Sequence, residues 1–208
     1  MTQRIGAKPT VTASHLFQQM CRRFEGASPT LGEVAQFAGP QASALLLLLL
    51  TLPEALPLPV AGMSTILAIP LIFVSVRMIR YGGEIQLPVW LCQRTIPVRL
   101  FQGVAARLVT LLRHLERVSR PRWHGMVDAT RSIGAACLVL AFVIALPIPF
   151  GNLLPALCIV GIAVGMLQRD GIIVAVSLAA GGFVVAGLST ALVLAGGAAL
   201  SAVDNLGT

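Results

Sequence analysis

LPIPFGNLLPA, residues 146–156, interrupts an apolar run that would otherwise read as one transmembrane helix. Earlier in the chain LPLPVAGMSTI, residues 56–66, spells nearly the same thing. A proline inside a helix removes a backbone donor and crowds the preceding turn. In hydrocarbon the freed carbonyls must find protein, water or ligand. Pro57, Pro59, Pro147, Pro149 and Pro155 are therefore expected as helix breaks, and the chain reads as two repeated, short, Pro-broken hairpins. Two readings of the breaks stand. They are tight turns at the far membrane surface, or they are buried breaks that aim half-helix ends at a midplane substrate, as transporters do.

Composition fixes the setting. The 208 residues are 56% hydrophobic and 11% charged, with mean hydropathy +0.87, against about 25% charged in a soluble domain. Residues 41–53, 132–168 and 171–203 are almost free of charge. The expected fold is an all-α integral membrane protein, one compact helical bundle. The N-terminal residues are polar and lack an apolar signal-peptide core, so the N-terminus is expected in the cytosol. Of fifteen Lys and Arg, four precede residue 24, ten lie between Arg77 and Arg131, and the last is Arg169. The positive-inside rule puts these segments on the cytoplasmic side of the membrane. Anionic lipid headgroups are the expected contacts of that charge. Nucleic acid is not, because no aromatic-rich basic surface accompanies the arginines.

Five segments follow. Residues 1–39 read as cytosolic helices, with Thr30 and Glu33 in capping-box spacing. Residues 40–80 form the first membrane hairpin, with arms of about 25 Å that either barely span a core of about 30 Å or turn back inside it. Residues 81–131 are basic and interfacial. Within them VRLFQGVAARLVTLLRHLERVSRP reads as a cytosolic amphipathic helix on the membrane surface, presenting Arg99, Arg107, Arg113 and Arg117. Residues 132–170 form the second hairpin. Residues 171–208 hold the C-terminal membrane segment or segments; as one helix the apolar stretch would reach about 50 Å, so it either breaks at Gly181-Gly182 into two arms, the favoured reading, or crosses once and leaves a loose tail. The hairpins align with Arg80-Tyr81-Gly82 upon Arg169-Asp170-Gly171. Both copies approach from the cytosol if the middle helix stays interfacial, which makes the repeats parallel and not inverted. Gly- and Ala-rich arms suit close packing, including with a second copy as a homodimer.

LPLP with its following G-x-x-x-x-L-x-x-P run (Gly62 to Pro70), PVWL (88–91), LERVSRPR (115–122), LPIPFGNLLPA (146–156) and GMLQRDG (165–171) occur in this order. Together they resemble the exopolysaccharide synthesis protein ExoD family, over about residues 40–175. The sequence departs from that pattern at Arg77 and at Cys92, which stands where proline follows Trp-Leu. The resemblance implies an inner-membrane protein of exopolysaccharide production. It implies no particular reaction.

Each candidate residue carries a functional and a structural reading. Arg80 and Arg169 suit a phosphate or acidic sugar headgroup. Arg169-Asp170-Gly171 also reads as a topogenic arginine, a local ion pair and a C-cap glycine. Asn152 serves freed backbone groups or a polar ligand. Glu54, between Pro53 and Pro57, is an ionisable group at membrane depth or a loop carboxylate. His15, His114 and His124 have no ligand partners at metal spacing, and no phosphate loop or nucleophile elbow is present. No enzyme, metal or cofactor is expected. The sequence reads best as a small transporter or lipid-carrier translocator for an anionic substrate such as polyprenyl-phosphate, with Arg80, Arg169, Asp170, Asn152 and Glu54 around a polar cavity. The alternatives are a non-catalytic scaffold or regulator of a polysaccharide synthase, partnered with that machinery, and an ion- or proton-coupled antiporter.

Overall fold

The computed structural model describes residues 18–19, 22–23, 28–55, 63–82, 88–95, 129–146 and 151–206. These are helical apart from short connections and one isolated antiparallel bridge between Thr30 and Thr95. The helices are α1 (Leu31–Ala38), α2 (Ala42–Ala55), α3 (Met63–Tyr81), α4 (Val89–Cys92), α5 (Thr130–Ala145), α6 (Leu153–Gln168) and α7 (Gly171–Leu206), with a 3-10 turn Gly39–Gln41 between α1 and α2. The segment 98–120, with Arg99, Arg107, Arg113 and Arg117, lies outside the described residues, as do Pro57, Pro59, Pro147 and Pro149.

α1 begins where the capping spacing requires. Thr30 Oγ1 accepts from the Glu33 N–H (3.2 Å), and the Thr30 N–H donates to Glu33 Oε2 (2.8 Å), so two otherwise orphaned donors are satisfied reciprocally. The α4 segment returns to this start. The Leu31 N–H donates to the Arg94 carbonyl at 3.0 Å, and a β-carbon at Gly32 would stand 2.9 Å from Cys92 Cβ.

α2 carries six consecutive leucines and is buried on every face from Ala42 to Thr51. A helix apolar all round belongs in a core. Thr51 Oγ1 donates to its own helix at the Leu47 carbonyl (2.7 Å), so this buried hydroxyl is satisfied. Pro53 lies inside the helix, two residues before Ala55, the last of its described residues.

Packing direction follows from close contacts. At Gly134 in α5 a β-carbon would lie 2.8 Å from Met78 Cβ and 3.1 Å from the Ser75 carbonyl. The start of α5 therefore meets the end of α3, and the two run antiparallel. Asn152 Nδ2 donates to the Ile144 carbonyl at 3.1 Å, tying the start of α6 to the end of α5. α6 turns into α7 through Arg169 and Asp170 alone. The most extensive pairings are α3 with α5, α2 with α6 and α6 with α7. Arms within a pair, α2 with α3 and α5 with α6, touch less. The four helices thus form a ring in the order α2, α3, α5, α6, with α7 outside against α6 and α5. The buried core is apolar, with Leu71, Val74 and Met78 of α3, Ile133 and Cys137 of α5, the α2 leucines, and Ile159, Ile162 and Ala163 of α6 among its members.

Two segments, Leu31–Ala55 and Gly171–Leu194, are long and apolar enough to cross a membrane. α5 and α6, at 16 residues each, reach about 24 Å. α7 corrects the favoured break: 36 residues run unbroken through Gly181-Gly182. Two glycines weaken a helix only by propensity, about 1 kcal/mol each, whereas an opened turn in hydrocarbon strands backbone groups. The outer face of α7 is apolar and exposed, with Phe183 at 82% and Val193 at 73%. Ser189 and Thr190 both donate to the Ala186 carbonyl at 2.8 Å.

Pro155 is a second correction. It occupies the third position of α6, where a missing N–H removes no intrahelical bond. It helps to open that helix and does not break it.

Candidate functional site

The starts of α2, α5 and α7 and the ends of α3 and α6 share one end of the bundle, here the arginine end. The end of α5 and the start of α6 lie at the other, here the proline end. Arg80, Arg169 and Asp170 belong to the arginine end, Glu54 and Asn152 to the proline end. About 24 Å of α6 separates Asn152 from Arg169 and Asp170, which stand at its two ends.

At the arginine end α6 closes in a hydrogen-bonded Schellman turn. The Asp170 N–H donates to the Gly165 carbonyl (2.9 Å) and the Arg169 N–H to the Met166 carbonyl (3.2 Å). This motif needs a left-handed residue, usually glycine. Here it is Arg169, at φ 53° and ψ 35°, the one non-glycine with positive φ among the described residues. The C-cap is therefore the arginine, and Gly171 instead opens α7. Asp170 is buried at 5% exposure, and its Oδ1 accepts from the Ile172 N–H at 3.0 Å. The carboxylate thus caps α7, while the Arg169 side chain stays exposed. Gly165 makes the turn possible, since a β-carbon there would meet the Val174 backbone nitrogen at 2.9 Å.

Beside this turn stands a residue that the sequence pattern does not single out. The Gln168 carboxamide is enclosed, with neither Oε1 nor Nε2 hydrogen-bonded, and Gln41 Oε1 is enclosed and unbonded likewise. Gln41 immediately precedes α2 and Gln168 ends α6. Those helices are among the most extensively packed pairs, with Gln41 at the start of one and Gln168 at the end of the other. The one signal in the sequence is a glutamine closing an otherwise apolar run, directly before Arg169.

Arg80 lies exposed in the last turn of α3. Gly82 follows with φ 66°, and Arg131 Nε approaches it within 4.0 Å of where a β-carbon would be. The Arg77 guanidinium lies 4.5 Å from the Tyr81 ring centroid, a cation–π distance. Helix-ending geometry pairs Gly82 with Arg169, both left-handed, and so shifts the Arg80-on-Arg169 alignment by two residues. α3 and α6 also occupy opposite corners of the ring. The two arginines share an end without forming a clamp.

At the proline end Asn152 Nδ2 holds the Ile144 carbonyl, which is the structural role expected of it, while its Oδ1 is enclosed and unbonded. Glu54 is half-buried in the last turn of α2.

These features define an all-helical protein with two helices able to cross a membrane and a basic, polar-rich end. Residues 13–191 match the family described as "Exopolysaccharide synthesis, ExoD", and the chain belongs to that family. It is 30% identical over 163 residues to the protein ExoD of Rhizobium meliloti (strain 1021), covering 75% of this chain and 67% of that one. It is 28% identical over 151 residues to the uncharacterized protein slr1875 of Synechocystis sp. (strain ATCC 27184 / PCC 6803 / Kazusa), covering 71% of each. No solved structure matches. Membership implicates the chain in exopolysaccharide synthesis.

Proposed function

We propose that this protein is a non-enzymatic component of the bacterial inner membrane that holds a phosphate-bearing polyprenyl carrier at its arginine end, in the cytosolic leaflet, and passes it on during exopolysaccharide assembly. The observation that carries the reading is the left-handed Arg169. A side chain in that conformation costs about 1–2 kcal/mol against glycine, and such strain persists where the residue serves a function. A guanidinium presents a fork matched to phosphate oxygens. Arg80 and Arg131 add basic charge at another corner of the same end, and the positive-inside rule supports a cytosolic location. The ring order, in which each hairpin's first arm meets the other's second arm, supports two parallel repeats about an axis along the bundle. The apolar ring interior favours handling of the carrier at the protein surface over passage through the centre. An ion route through Glu54 and Asp170 fits less well, because these lie at opposite ends and Asp170 is engaged as a cap.

The test is native mass spectrometry of the full chain with polyprenyl phosphate and bulk phospholipid. Selective retention of polyprenyl phosphate by wild type, lost in Arg169→Gly with the helical fold intact, supports the reading. Retention of bulk phospholipid alone, indifferent to Arg169→Gly and Arg80→Ala, overturns it. That second outcome favours a scaffold for a synthase, for which α1 offers exposed Glu33 and Gln36 and the residues just after α4 offer exposed Gln93 and Arg94. Pull-downs with changes at those four positions then become the decisive measurement.

A further inference from the structure

We infer that Gln168, with Gln41, reads the sugar of the carrier, so that the preferred ligand is a polyprenyl phosphosugar and not the bare phosphate; this rests on the carrier reading above. Donors and acceptors decide between the two ligands. Gln168 Oε1, Gln168 Nε2 and Gln41 Oε1 are all enclosed without partners. An enclosed polar atom left unpaired is costly, so such atoms in a folded protein call for an explanation. Two of the three are acceptors and require a donor. A fully ionised phosphate supplies none, and the Arg169 guanidinium is the natural partner for its oxygens. A sugar hydroxyl donates and accepts at once, which matches a carboxamide on both sides. The charged group and the hydroxyls would then be read by adjacent residues, Arg169 and Gln168. Because the amide atoms are enclosed, a headgroup reaches them only as the α6–α7 turn shifts. That turn is the one holding the strained Arg169.

Full-length protein in a detergent without a sugar head is exposed to equal amounts of a polyprenyl phosphate and a polyprenyl phosphohexose of the same chain length. Retention is read by native mass spectrometry for wild type, Gln168→Met, Gln41→Met and Arg169→Gly. Methionine preserves volume and removes the hydrogen-bonding atoms. Wild type is expected to retain the phosphohexose about tenfold better, the worth of a satisfied hydrogen bond to a buried group. Gln168→Met is expected to bring the two lipids level while leaving bare phosphate at its wild-type value. Gln41→Met narrows the gap, and Arg169→Gly loses both lipids. Equal retention by wild type, or a preference that survives Gln168→Met, overturns the sugar-reading role while leaving the carrier reading intact. Retention of neither lipid by wild type overturns both.

Discussion

At Arg169 one backbone angle separates two roles that a sequence motif conflates. If the arginine only closed α6, glycine would close it better. Arg169→Gly is therefore expected to raise the unfolding midpoint by a few degrees, corresponding to about 1 kcal/mol, while abolishing retention of the phosphate-bearing lipid. Thermal unfolding by circular dichroism, run alongside native mass spectrometry, checks both. A drop in stability would mean that the guanidinium is structural and would remove the main support for the binding role. Gly165→Ala makes the opposite expectation. Its new methyl would meet the Val174 backbone nitrogen at 2.9 Å, which cannot swing aside, so a loss of about 1–3 kcal/mol is expected. Asp170 and Arg169 are visible in the sequence as a charged pair after an apolar run, but their division of labour is not. Which residue turns left-handed depends on where the last helical hydrogen bond falls. The enclosed Gln168 amide is equally illegible, because burial of a helix-end side chain is set by neighbouring helices.

At the scale of elements, local chemistry is legible in the sequence and environment is not. The capping box at Thr30 and Glu33 depends on residues three apart and forms as its spelling requires. The leucine run of α2 reads equally well as a lipid-facing arm, yet it is buried, while the glycine- and alanine-rich α7 carries the exposed face. Packing without water explains the inversion, because close helix contact is not driven by hydrophobicity alone when the solvent is itself hydrocarbon. Leu47→Ala is accordingly expected to cost about 2–3 kcal/mol through the cavity it leaves, whereas Phe183→Ala costs little. Equilibrium unfolding in mixed micelles separates them, and equal small losses would turn α2 back toward lipid. The continuity of α7 can be checked at Gly182, where an added methyl would have nothing within 4 Å. Gly182→Ala is expected to stabilise by close to the glycine–alanine difference in helix propensity, about 0.8–1 kcal/mol. Destabilisation there would indicate that the glycine pair serves a bend.

For the whole molecule, the decisive relation is which residues share an end. The arginine distribution already points to one basic side, but it offers no means of dividing the polar candidates. Glu54 and Asn152 look like partners of Arg169 only because both repeats spell polar residues near their prolines. The contacts at Gly134–Met78 and Asn152–Ile144 set Asn152 at the end of the bundle opposite Arg169. The same contacts place the end of α3 and the start of α5 at one end of the bundle, so that Arg80, Arg131 and Arg169 lie at that end. In a variant whose four native cysteines, Cys21, Cys92, Cys137 and Cys158, are replaced by alanine or serine, single cysteines at positions 80, 131 and 169 are expected to react with a membrane-impermeant maleimide in inverted vesicles and to be protected in intact spheroplasts. Reaction of positions 80 and 169 from opposite sides would break the parallel arrangement of the hairpins and with it the carrier site. Reaction of all three from outside would preserve the ring but move the site to the far leaflet. There a carrier would be received after crossing, and no longer collected before it.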